Sequence, residues 1–236
     1  MPTLPQKLIA EFLGAFAFVF FSAGAICTDA YLTSTGQSGL GILGIALASG
    51  LAFGALVAVL GHISGGHFNP AISIGFWVTR RLSTLHTITY WIAQLAGGAA
   101  AAYAIKWMLP DSPWSPKALA SIAPDLGGDF TRAGGIALEA LLTFFLVLVF
   151  FAASADTRVA SSKIAGIAAG LVVAVGVLFG GPFTGAALNP ARALGPALAT
   201  SHWQNHGVYW AGPLLGGVLA AFLYDRLFLR NQPPAS

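Results

Sequence analysis

Asn69-Pro70-Ala71 and Asn189-Pro190-Ala191 repeat one order of residue types, 120 positions apart, inside otherwise apolar sequence. The chemistry they offer is hydrogen bonding, not bond making. Asn is a favoured helix N-cap, and its amide can still offer an N–H to a solute. Proline at the first helical position has its φ fixed and lacks an N–H that would be orphaned there anyway. A small Ala beside it lets two helix tips pack together. Glu11, Glu139 and Arg192 also lie in apolar surroundings, and His67 stands just before the first triplet. An ionised group in such a setting is costly and marks a function or a partner. His62 and His67 lack the Cys or carboxylate that would complete a metal site. No nucleophile–base pair stands out, so no catalysis, metal or cofactor is expected.

The elements that must hold these residues are membrane helices. The chain has 236 residues, 56% hydrophobic and only 8% charged, with a mean hydropathy of +0.77. A soluble domain carries about 25% charged residues. The net charge of +3 is spread over loops and implies no nucleic-acid partner. Apolar stretches run at about 8–28, 39–61, 86–108, 132–155, 163–181 and 207–228. Each approaches the roughly 20 residues that cross about 30 Å of hydrocarbon as a helix. The first begins after Glu11 and continues past Phe21, too long for a signal-peptide core, and reads as a span. Cys27 reads as an ordinary residue near its end. The stretch 109–131, rich in Pro, Ser and Gly, reads as an irregular external cover.

Lys7, Arg80, Arg81, Arg158, Lys163, Arg226 and Arg230 fall on one side, against Lys106, Lys117, Arg132 and Arg192 on the other. The positive-inside rule then puts both termini in the cytoplasm. The chain also repeats itself. Tyr90–Gly98 matches Tyr209–Gly217, Ile63–Ala71 matches Phe183–Ala191, and the helix at Glu11 loosely matches that at Glu139. Halves of about 1–108 and 132–236 make one domain. Each half crosses three times, so the second is inserted upside down.

The segments carrying the triplets are too apolar for exposed loops and too short to add a crossing. They read as re-entrant half-helices of about 10–12 residues, reaching roughly halfway through the core. Glycines before each Asn allow an extended chain with carbonyls facing a pore. The two helix N-termini then meet near the midplane, and their positive ends repel cations and oppose proton conduction. Glu11 and Glu139 are expected to accept backbone N–H groups from the two segments, with a proton relay as the sharper alternative.

Both triplets, their upstream Ser64-Gly65 and Thr184-Gly185, "SGGHFNPA", "NPAR" and the paired glutamates together resemble the aquaporin family, the major intrinsic proteins. The resemblance covers nearly the whole chain. It implies an all-α membrane fold of six transmembrane helices plus two re-entrant half-helices, assembled as a homotetramer in the plasma (inner) membrane. It makes Glu11 and Glu139 braces of the re-entrant loops, His67 a pore-lining residue on the cytoplasmic side and Arg192 the filter arginine of the outer mouth. It places the remaining filter positions at Ser49, Val177 and Ala186. Water-selective members typically carry Phe and His where this chain has Ser49 and Val177. The small set resembles that of nodulin-26-like channels and related bacterial ones, which pass metalloid acids. The implied function is a passive channel for small neutral solutes such as arsenous or boric acid, with water and glycerol possible.

Alternatives remain. One is a water-selective channel whose mouth other side chains narrow. Another is a glycerol facilitator, although these usually carry Asp where Ala193 stands, and Tyr209-Trp210 looks more like water channels. A structural membrane protein with little flux, or a coupled transporter, fits less well with intact triplets and no further ionisable pair.

Overall fold

Residues 1–158 and 162–229 are described in the computed structural model, with backbone alone at 162 and 163. Two cations of the seven-against-four charge comparison, Arg230 and the Lys163 side chain, lie outside the described residues. The described chain is helical, without strands: α1 (Leu4–Ser34), α2 (Gly41–Ser64), α3 (Pro70–Val78), α4 (Thr84–Met108), α5 (Ser115–Ile122), α6 (Arg132–Ala155), α7 (Ser162–Thr184), α8 (Pro190–Thr200) and α9 (Val208–Tyr224). A π-helical turn, Asp225–Leu229, ends it.

Among the described residues five helices are long and apolar enough to cross a membrane: α1, α2, α6, α7 and α9 with its final turn. The sixth, α4, has the length at 25 residues, but His86, Gln94 and Lys106 dilute its apolar character. The half-helices α3 and α8 have 9 and 11 residues, about 14 and 16 Å of rise, so each reaches only partway through the core. With six crossings, both ends of the described chain lie on one face, here the terminal face; α5 lies on the other. Helix α1 outruns the expected 8–28. The Gln6 side chain accepts the Thr3 N–H at 2.8 Å, starting the helix early. At its far end the helix runs past its apolar stretch, and there Thr33 and Ser34 turn their hydroxyls onto carbonyls of the preceding turn.

The halves repeat as α1/α6, α2/α7, α3/α8 and α4/α9, in opposite orientation. Helices α2 and α7 pack along each other across the seam, where small residues permit backbone approach. A Cβ at Gly54 would lie 2.8 Å from the Gly166 carbonyl oxygen. Inside, Phe18, Phe53, Phe68, Leu146 and Phe150 form a continuous buried cluster. On the terminal face Arg81 pairs with Asp225 at 3.0 Å, tying the turn after α3 to the end of α9. There Asp156 accepts from Arg158 and from the Tyr224 hydroxyl, and the Arg158 hydrogen bond holds its carboxyl well below the usual range.

The external cover is not wholly irregular. Helix α5 occupies its centre, with Ser115, Ala118 and Ile122 buried on one face. Ala118 and Ile122 sit on Cys27 and Ile105, so burial stabilises a helix too short to persist alone.

Candidate pore and its polar lining

Between α2 and α3, Gly65, Gly66 and Phe68 take φ of 99°, 71° and 49°; between α7 and α8, Gly185, Ala186 and Leu188 take 75°, 43° and 53°. The expected extended chain is therefore interrupted by left-handed residues, while Asn69 and Asn189 themselves stay extended. The reason is geometric: five residues must reverse direction from a helix end back to the midplane. Phe68, Ala186 and Leu188 are not glycines, and each such residue costs about 1–2 kcal/mol. Something must hold them.

Two buried carboxylates bond to the backbone of these turns. Glu11 Oε1 accepts from the His67 N–H at 3.0 Å and the Ser64 hydroxyl at 2.6 Å. Its Oε2 accepts from the Phe68 N–H at 2.7 Å and Gln94 Nε2 at 2.7 Å. Glu139 repeats the pattern: Ala187 N–H at 3.0 Å and Thr184 hydroxyl at 2.7 Å on Oε1, Leu188 N–H at 2.8 Å on Oε2. The tyrosines of the repeat complete it. Tyr90 donates to the Ser64 carbonyl at 2.7 Å and Tyr209 to the Thr184 carbonyl at 2.9 Å. Gln94 has no counterpart, because Pro213 stands at its repeat position. Glu139 instead lies within electrostatic reach of Arg192.

Each triplet Asn caps its half-helix. Asn69 Oδ1 accepts the Ala71 N–H and Asn189 Oδ1 the Ala191 N–H, both at 2.8 Å. The amide nitrogens cross over. Asn69 Nδ2 donates to the Leu188 carbonyl and Asn189 Nδ2 to the Phe68 carbonyl, both at 2.9 Å. One N–H of each amide thus joins the halves, and the second is not spent on that contact. The left-handed Phe68 and Leu188 are what aim those carbonyls. Ala71 and Ala191 are fully buried, and their carbonyls abut Gly217 and Gly98 on α9 and α4. His67 is buried, with Nδ1 3.1 Å from the Ser73 hydroxyl and its ring against Phe76, Tyr90 and Phe150.

On the α5 side of the triplets lies a cavity of about 250 Å³. Ser49, Val177, Ala186 and Arg192 all line it, brought together from α2, α7, the loop before α8, and α8. That is many times the room one water needs. Arg192 Nη1 donates to the carbonyl of Ile122, the last residue of α5, at 2.9 Å. A helix C-terminus favours a cation, so α5 orients this guanidinium. Asp125 and Ser22 line the same cavity, and sequence reasoning had noticed neither. Asp125 accepts from His202 Nε2, Asn205 Nδ2 and the Leu126 N–H, each at 2.8 Å. Burial pushes its carboxyl up, but these donors hold it below the ordinary value.

Residues 2–224 match the family model described as "Major intrinsic protein". The chain belongs to the major intrinsic protein family. Relatives within the family include the probable aquaporin TIP3-2 of Arabidopsis thaliana, 37% identical over 99% of this chain and 88% of that protein. The lens fiber major intrinsic protein of Gallus gallus is 38% identical over 98% of this chain and 89% of its own length. Among solved structures, the aquaglyceroporin from Plasmodium falciparum superposes with a TM-score of 0.82, covering 96% of this chain and 98% of that one at 24% identity, a likeness of fold. As a member of the major intrinsic protein family, the chain is an integral, multi-pass membrane protein with the fold's six spans and two re-entrant half-helices.

Proposed function

We propose that the chain forms a passive channel for small neutral solutes, polyol-like or metalloid acids such as arsenous and boric acid, passing water and glycerol as well. The observation carrying this reading is the cavity of about 250 Å³ on whose wall Ser49, Val177, Ala186 and Arg192 meet. Pore width and lining groups decide selectivity, and three of these four side chains are small. Arg192 would repel cations and donate to solute oxygens, and the two half-helix N-termini would add to the barrier against cations and protons. Glu11 and Glu139 would act as braces, and His67 would line the cytoplasmic half. The α5 face would be extracellular, with both termini in the cytoplasm of a plasma (inner) membrane and the chain assembled as a homotetramer. Halves 1–108 and 132–236 would work as one channel domain.

A water-selective channel is the second reading. Phe18 and Ile42 also line the cavity and could refill the space that Ser49 and Val177 leave, and the relatives named aquaporins point the same way. Stopped-flow measurement on reconstituted liposomes with water, glycerol, urea, boric acid and arsenous acid separates the two. Passage of boric or arsenous acid above the protein-free background is expected; water flux alone overturns the leading reading. Ser49→Phe with Val177→His should then cut glycerol and boric acid flux at least tenfold relative to water. An equal fall in every flux would reject the filter positions.

A further inference from the structure

The serines on the cavity wall do not offer their protons to it. Ser49 Oγ donates to the Ile45 carbonyl at 2.8 Å, Ser22 Oγ to the Val19 carbonyl at 3.3 Å, and Ser121 Oγ to the Lys117 carbonyl at 2.8 Å. A carbonyl can only accept, so the direction of each bond is fixed. Each hydroxyl therefore turns its proton back onto its own helix, leaving lone pairs for the cavity. Ser22 and Ser49 are buried, so those lone pairs have little water apart from what the cavity holds. Asp125 adds another acceptor. A carboxylate has about four lone-pair sites, and three are occupied by His202, Asn205 and Leu126. Against these stands one cluster of donors, the Arg192 N–H groups not spent on the Ile122 carbonyl.

The geometry points to an acceptor-rich solute subsite, in which Ser22 and Asp125 join Ser49 as specificity-determining residues that favour neutral solutes carrying several O–H or N–H donors. This rests on the solute-channel reading above and narrows it. A solute with one oxygen acceptor and many donors matches the wall: its acceptor meets Arg192 and its donors meet Ser22, Ser49 and Asp125. A solute of the same shape with fewer donors leaves lone pairs unpaired after displacing their water, and an unmatched polar group is penalised far more than a missing methylene.

Urea and acetamide test this, because they share one planar shape and differ by an NH₂ replaced with methyl. In liposomes carrying the full chain, channel-mediated urea flux should exceed acetamide flux at least fivefold after subtraction of the bilayer background. Ser22→Ala should lower that ratio two- to threefold. Asp125→Asn, which replaces one acceptor oxygen with a donor NH₂, should lower it further. Melting temperature in detergent shows that the variant proteins are folded. A urea-to-acetamide ratio of one or less in the unaltered protein overturns the inference with no variant needed, and so does glycerol passage without urea. Unchanged ratios in both folded variants overturn the roles of Ser22 and Asp125. These outcomes leave the solute-channel reading standing, whereas passage of water alone removes both.

Discussion

At the scale of single residues, the two carboxylates accept backbone N–H groups from both re-entrant loops. Glu11→Gln keeps size and shape but swaps one oxygen for an NH₂. Each Glu11 oxygen takes one backbone N–H, from His67 or Phe68, so either amide orientation turns N–H against N–H. A buried donor left unpaired costs about 1–3 kcal/mol. We expect a lower melting temperature and lost water flux in Glu11→Gln; full yield and flux would reject the bracing role. A pH effect belongs to His206. Trp210 Nε1 donates to His206 Nε2 at 3.0 Å, which requires a neutral ring, and burial pushes the imidazole below its ordinary value. The unfolded chain then takes up the proton first, so this contribution is complete above about pH 6.5 and is lost as pH falls through the folded value. Melting scans from pH 8 to 5 should show a fall that His206→Gln, which keeps an acceptor without titrating, flattens. Asn69, Glu11 and Arg192 were legible because polar groups stand out in apolar sequence. Gln94, Ser22 and Asp125 were not, since their partners lie far away in the chain or, for Ser22, on its own helix.

At the scale of elements, the repeat shows how helices are pressed together to carry the site. Gly98 on α4 receives the Ala191 carbonyl of α8, and Gly217 on α9 receives the Ala71 carbonyl of α3; a Cβ at either would overlap that oxygen. Backbone cannot yield as a flexible side chain can. Gly98→Val and Gly217→Val should each cost about 3 kcal/mol or more, read as lost folded protein in detergent and a depressed melting point. Gly24→Ala on α1 has open space around its new methyl and gains helix propensity, so it should be neutral or slightly stabilising. Equal behaviour of the three would show that close approach is not what these glycines serve. Apolar run length and the Asn-Pro start revealed the spans and the half-helices because both are local signals. They missed α5, whose eight residues become helical by resting Ala118 and Ile122 on α1 and α4. The left-handed Phe68 and Leu188 were hidden for a similar reason: neither residue favours that region, and distant carboxylates impose it.

At the scale of the whole molecule, the decisive contact is the exchange of amides between halves. Asn69 reaches the Leu188 carbonyl while Asn189 reaches the Phe68 carbonyl, both at 2.9 Å. Each bond needs the opposite loop in its left-handed shape, and each loop keeps that shape through its own carboxylate. The two bonds therefore close one interface, and losing either loosens the partner of the other. A double-mutant cycle reads this directly. Asn69→Ala and Asn189→Ala each remove an N-cap, worth about 1 kcal/mol, together with one crossing bond. If the halves act independently, the double variant loses the sum of the two. If the tips form a single cooperative joint, the second substitution finds an interface already open and costs less, with a coupling of about 0.5–3 kcal/mol. We expect the latter in detergent unfolding, with Asn69→Ala paired with Ser201→Ala, a change away from this contact, adding simply. Additivity at the Asn pair would mean that the seam between α2 and α7, not the triplets, holds the two halves in register.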